Sequence, residues 1–144
     1  MPRFPSVEWF EAVRQVFNSE DEYQTAGGGT CDAVVGLKID DEVYVVVFEG
    51  FECSSVRRGE GDDLYEADFY LEMTGDEWRE MLENISQNGS ADLEHSLNSL
   101  DLAKAPDSLA HSLNEDGYRL DFFFRYNQTF QYFFDASSRV ETRF

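Results

Sequence analysis

The chain has 144 residues, enough for one domain whose core needs neither disulfide nor metal. A hydrophobic content of 42% with 15% aromatic residues excludes a disordered chain. Eleven Lys and Arg against 30 Asp and Glu leave a net charge of −19, which argues against partners that need clustered cations, such as nucleic acid or an anionic bilayer surface.

Lysine occurs only at Lys38 and Lys104. Such acidity fits either a halophile's solvated surface or an acidic face for a basic partner. The opening MPRFPSVEWF lacks the basic start and apolar core of a signal peptide, and no run approaches about 18 apolar residues. The expectation is a cytoplasmic chain without membrane insertion. Cys31 and Cys53 form no C-x-x-C pair and read as reduced, buried thiols.

Ser6 is placed to cap a first helix running to about residue 18, with Val7, Phe10, Val13 and Phe17 at helical spacing. The glycines before Thr30 read as a turn, since no Gly-Lys-Ser/Thr follows to make a phosphate loop. Strands are expected over 33–39, 43–48 and 51–57, with Asp40-Asp41 as the first turn and 58–63 as a loop. Residues 66–73 alternate, with Ala67, Phe69, Leu71 and Met73 on one face, as in a half-buried strand. Thr74 and Glu77 form a capping box that opens a helix carrying Trp78, Met81, Leu82 and Ile85 on one stripe. A second helix is expected over 92–98, a short alternation over 97–102, and a helix from Pro106 through DSLAHSL to near Gly117.

Residues 118–134, YRLDFFFRYNQTFQYFF, hold six of the chain's 13 Phe and three of its seven Tyr. So dense a group must be covered by protein, partner or ligand. As a strand, Tyr118, Leu120, Phe122, Phe124 and Tyr126 would share a face. As a helix, Phe122, Phe123, Tyr126, Phe130, Phe133 and Phe134 share one arc, with Asp121 and Arg125 as an i, i+4 pair. About 17 residues without Gly or Pro suit a helix better than a strand.

The order of these elements resembles the sterol carrier protein type 2 family. The likeness rests on Glu8-Trp9-Phe10 in a leading helix, three strands, and Ala67-Asp68-Phe69-Tyr70-Leu71 running into a helix with Asp76-Glu77-Trp78. In that comparison, residues 92–97 stand for the family's D-P-x-x-A-F helix, 100–102 for its last strand and 107–113 for its last helix. The proline of the D-P motif is missing, and Ser99 stands where a glycine is usual. The resemblance spans roughly 7–113, so it implies a lipid-binding domain over 1–114 and an aromatic helical extension over 115–144. The extension would pack on that domain or on a partner. The fold expected is α+β, a mostly antiparallel sheet of about five strands covered on one side by helices. Members bind lipids, acyl chains or sterols in an apolar tunnel, usually without chemistry of their own.

No residue set stands out as catalytic or metal-ligating, and no cofactor is expected. His95 and His111 have no acidic or cysteine partner at ligand spacing and read as surface or cap residues. The implied tunnel would be lined by Phe69, Leu71 and Met73 from the strand and by Trp78, Met81 and Leu82 from the helix. Phe122, Tyr126, Phe130 and Phe133 would close it. Met73 and Met81 suit an adaptable wall. Asn127 is either a backbone-satisfying amide or a polar contact at the end of the cavity. Arg119 and Arg125 divide between surface ion pairs and contact with a ligand carboxylate.

The leading reading is a non-catalytic carrier for an apolar small molecule. The alternatives are a homodimer or accessory subunit of a larger enzyme docking through the aromatic helix, and a small isomerase, dehydratase or cyclase using Asp121 or a histidine as base.

Overall fold

The computed structural model describes residues 1–20, 30–105, 107–112 and 117–144. The fold is α+β, a five-stranded, mostly antiparallel sheet in the order β3-β2-β1-β4-β5. Its strands are β1 (Ala33–Ile39), β2 (Glu42–Glu49), β3 (Glu52–Gly59), β4 (Phe69–Met73) and β5 (Ala110–His111). Only β1 and β4 run parallel, with Leu37 opposite Leu71.

Helix α1 (Val7–Ser19) starts where the Ser6 hydroxyl accepts from Trp9 N at 3.1 Å. Its stripe of Trp9, Phe10, Val13 and Phe17 is buried against the sheet. The Asp40-Asp41 turn joins β1 to β2, and the Asp40 carboxylate accepts from Gly75 N at 3.0 Å, tying the turn to the next helix. A short helix, α2 (Asp63–Glu66), crosses the outer face of the sheet. Gly36 permits this: a Cβ there would stand 2.7 Å from Leu64 Cδ2 and 2.9 Å from Tyr70 Cβ. The expected loop over 58–63 thus begins two residues later, after β3 ends at Gly59.

Helix α3 (Gly75–Asn88) opens with the Thr74/Glu77 capping box and leaves through Gly89, whose φ of 83° favours glycine. Buried Trp78, Met81, Leu82 and Ile85 form its inner stripe, and Trp78 Nε1 donates to Lys38 O at 3.1 Å.

Three expectations after α3 need correction. Residues 93–95 form a turn, and the helix is α4 (Leu97–Ala103), capped by the Ser96 hydroxyl. Leu100, Asp101 and Leu102 are therefore helical, not a strand. Leu97 is buried, and Asp101 turns inward to accept from Leu109 N and the Ser108 hydroxyl, both at 2.8 Å. Over the described part, 107–112, of the helix expected at 107–113 the chain instead forms β5, because β4 has a free edge: Glu72 N donates to Leu109 O, and Ala110 and His111 pair with Leu71 and Tyr70. Lastly, the aromatic stretch is two helices, α5 (Gly117–Arg125) and α6 (Asn127–Asp135), parted at Tyr126 with φ −110° and ψ 16°. The bend sends α5 along β4 and β5 while α6 packs on α1, α3 and α4.

A 3-10 turn (Ala136–Arg139) and a tail complete the fold. Trp9 Nε1 donates to the Thr142 hydroxyl at 2.9 Å, across 133 positions of sequence. Phe123, Phe130, Phe133 and Phe134 lie in the same core cluster as Trp9, Val35 and Leu71. The glycine turn before Thr30, Pro106 and the 114/115 boundary lie outside the described residues. Among the described residues no helix is long and apolar enough to cross a membrane.

Candidate functional site

The strand period and the helix period meet under α6. Val35 and Leu37 of β1, Val46 and Phe48 of β2, and Leu71 of β4 present one continuous apolar floor. Phe130, Phe133 and Phe134 form the roof, because i, i+3 and i+4 put three rings on one side of α6. Floor and roof enclose a wholly apolar void of about 10 Å³, at the lower limit for a single water. The rings interlock: Phe48 lies 5.3 Å from Phe130 and 5.6 Å from Phe133, and Phe17 lies 5.8 Å from Phe133.

Of the lining residues expected from sequence, Leu71, Phe130 and Phe133 border this void. Phe69 sits beside it, 5.3 Å from Phe130. Met73, Trp78, Met81 and Leu82 are buried in the same core but do not border the void, so neither methionine serves as its wall. Phe122 and Tyr126 are half-buried on the flank of α5–α6, in a ladder with Tyr118 at 5.6 and 5.9 Å. The floor residues of β1 and β2 are absent from the expected lining. Both segments read as strands in the sequence, but only the parallel β1–β4 pairing brings their buried face beside Leu71.

Helix α5 is held more lightly than α6. Phe123 is its one fully buried residue, 6.0 Å from Phe69. Arg119 Nε lies 3.9 Å from Asp68 Oδ1, whose other oxygen accepts from Val34 N at 2.8 Å. Arg125 is exposed in the last turn, where a cation suits the helix dipole. Tyr118 and Phe124 are 69% and 56% exposed. The far end of α6 is pinned. Asp135 accepts from Ala91 N at 3.1 Å and from Gln131 Nε2 at 3.0 Å, and Gln131 Oε1 accepts from Leu97 N at 2.6 Å. Burial pushes the Asp135 carboxyl pKa up.

Asn127, expected at the end of the cavity, opens α6 at the bend and does not itself border the void. Its Nδ2 is sealed from solvent and has no hydrogen-bond partner among the described residues.

Among the described residues no titratable group borders this void. His95 is in the 93–95 turn with Nδ1 2.7 Å from Asp92 and Nε2 3.3 Å from Glu80, so the histidine lacking acidic partners by sequence spacing has two in space. Hydrogen bonding to these carboxylates raises its pKa, and the same contact holds the Asp92 carboxyl down to about 2. His111 stacks on Tyr70 at 5.4 Å, on the opposite side of the sheet from the void. Asp121 is exposed. Cys31 and Cys53 are free and buried, and desolvation pushes both thiols up to about 12, which keeps them protonated and unreactive. Among the described residues no three His, Cys, Asp or Glu side chains are grouped to hold a metal.

No protein-family model, curated protein or solved structure matches the chain.

Proposed function

We propose that the chain is a non-catalytic binding protein for an apolar small molecule, a lipid, acyl chain or sterol-like compound taken up between the sheet and the α5–α6 pair. The observation that carries this reading is a wholly apolar space roofed by three phenylalanines and flanked by a helix anchored through one buried ring. The order of elements supports the likeness to the sterol carrier protein type 2 family. With β5 as the strand after α4, the family's last helix falls on α5–α6 rather than on 107–113. The aromatic stretch then belongs to the binding domain itself.

Uptake must move α5 aside while α6 stays in place, because 10 Å³ holds no chain of carbons. Freeing the Phe123 ring costs about 1.5–3 kcal/mol of lost burial, and the half-exposed Arg119–Asp68 pair adds at most about 1 kcal/mol. Each buried ligand methylene contributes about 0.8 kcal/mol, so roughly four methylenes offset the opening and a ten-carbon chain leaves a clear surplus. Titration with the methyl ester of cis-parinaric acid, whose polyene absorbs tryptophan emission, tests the reading. Saturable one-to-one quenching of tryptophan is expected, reversed by unlabelled neutral lipid. The absence of quenching, together with native mass spectra free of any co-purified lipid, overturns it.

A second reading rests on Tyr118 and Phe124, which lie on the outer side of α5 at more than half exposure. Such rings suit an interface, and a net charge of −19 favours a basic partner over a second copy of this chain. Sedimentation at low salt, with and without Phe124→Ser, checks it. Self-association by the unmodified chain alone would reverse the choice of partner.

A further inference from the structure

The geometry points to Asn127 as the residue that orients the ligand, through a hydrogen bond from Nδ2 to an uncharged oxygen, a carbonyl or hydroxyl, at one end of an otherwise apolar molecule. This rests on the binding reading above and specifies the ligand's chemistry. Its ground is a contrast within α6. The helix carries several polar side chains, and two near its far end are used: Gln131 bridges Leu97 N and Asp135, and Asp135 holds Ala91 N. Asn127 Nδ2, equally sealed, has no partner among the described residues. Leaving a buried donor unpaired costs about 1–3 kcal/mol, a cost that leucine, of nearly the same size, would not incur.

Position supplies the second ground. Asn127 lies three residues before Phe130 and seven before Phe134, so it heads the stripe of α6 that roofs the void. A ligand lying along that stripe has its apolar length under the rings and one end at the bend. The acceptor is uncharged because α6, with the sequence NQTFQYFFD, carries no cation, while across the bend Arg125 is exposed to solvent and Arg119 faces Asp68. A buried carboxylate without a paired cation is far more costly than a buried carbonyl. The acceptor therefore belongs to a ketone, ester, thioester or alcohol, not to an ionised fatty acid.

Competition of dodecan-2-one and dodecane against cis-parinaric methyl ester, in the unmodified chain and in Asn127→Leu, tests the assignment. The ratio of ketone to alkane affinity is expected to fall about tenfold in Asn127→Leu, the loss of one buried hydrogen bond. Dodecane should bind as well as before or better, and the variant should unfold at a higher temperature. Asn127→Ala, which removes the amide donor without adding bulk, should lower the ratio as well and serves where the leucine variant fails to fold. An unchanged ratio in the variants, with both ligands still bound, overturns the role of Asn127 and leaves the binding reading standing. Binding of neither compound by the unmodified chain overturns both.

Discussion

Helices α5 and α6 are each nine residues long and each hold three phenylalanines, yet they are buried to opposite degrees. In α5 the rings are consecutive, Phe122, Phe123 and Phe124, so they splay by about 100° each and only Phe123 reaches the core. In α6 they stand at 130, 133 and 134, and all three point inward. Composition set how many rings there are, and spacing decided which of them stabilise. The same difference divides the labour proposed here: α6 is the fixed roof and α5 the part that yields.

Substitutions can break or sharpen that contrast. The largest effect is expected for Phe133→Ala, since Phe133 is buried against Phe17, Phe48 and Phe134. A loss of about 3–5 kcal/mol in urea unfolding is expected. Phe123→Ala should lose about 3 kcal/mol, at the lower end of the range because a lightly held helix can settle into the gap. It should also speed association of the parinaric ester in stopped-flow fluorescence. Asp135→Ala removes the acceptor for Ala91 N and Gln131, and about 1–3 kcal/mol of stability should go with it, by the same unfolding measurement.

A smaller effect is set by pH. His95 has its folded-state pKa raised above 6.5, chiefly by hydrogen bonding to Asp92. The stability it adds is complete below its unfolded pKa and is lost as pH rises through the raised folded value. Urea midpoints of the unmodified chain and of His95→Gln should therefore differ at pH 6 and converge by about pH 9. The smallest effect is reserved for Phe124→Ala, within about 0.5 kcal/mol of the unmodified chain. A loss comparable to that of Phe133→Ala would erase the contrast.

Elements with local signals were legible in the sequence. The Ser6 cap, the Thr74/Glu77 box and, from Phe69 onward, the alternation expected over 66–73 each name their structure without reference to the rest of the chain. The two-residue β5 was not, because Ala110 and His111 are extended only by virtue of the edge that β4 offers them. The break at Tyr126 has no glycine or proline to announce it; it follows from the different neighbours of the two helices. The site was half legible for the same reason. Its phenylalanines declare themselves by helical spacing, but nothing local tells that Leu71 comes to lie beside Leu37 rather than at the far edge of the sheet. Asn127 could be marked as unusual inside an aromatic arc. That its amide nitrogen goes unpaired required the fold.

The bond from Trp9 to Thr142 joins positions 133 apart, and the Phe17–Phe133 contact is nearly as distant in sequence. Closing such loops costs entropy before any burial rewards it. The strands can pair early, through the short turns that link β1, β2 and β3, but the part of their inner face that α1 leaves open then waits for α6. During synthesis the side of Val35 and Phe69 lacks its cover from α6 until more than sixty further residues have followed Phe69. The interval is one in which an unfinished chain is prone to self-association, and its dense negative charge keeps neighbouring chains apart while it lasts.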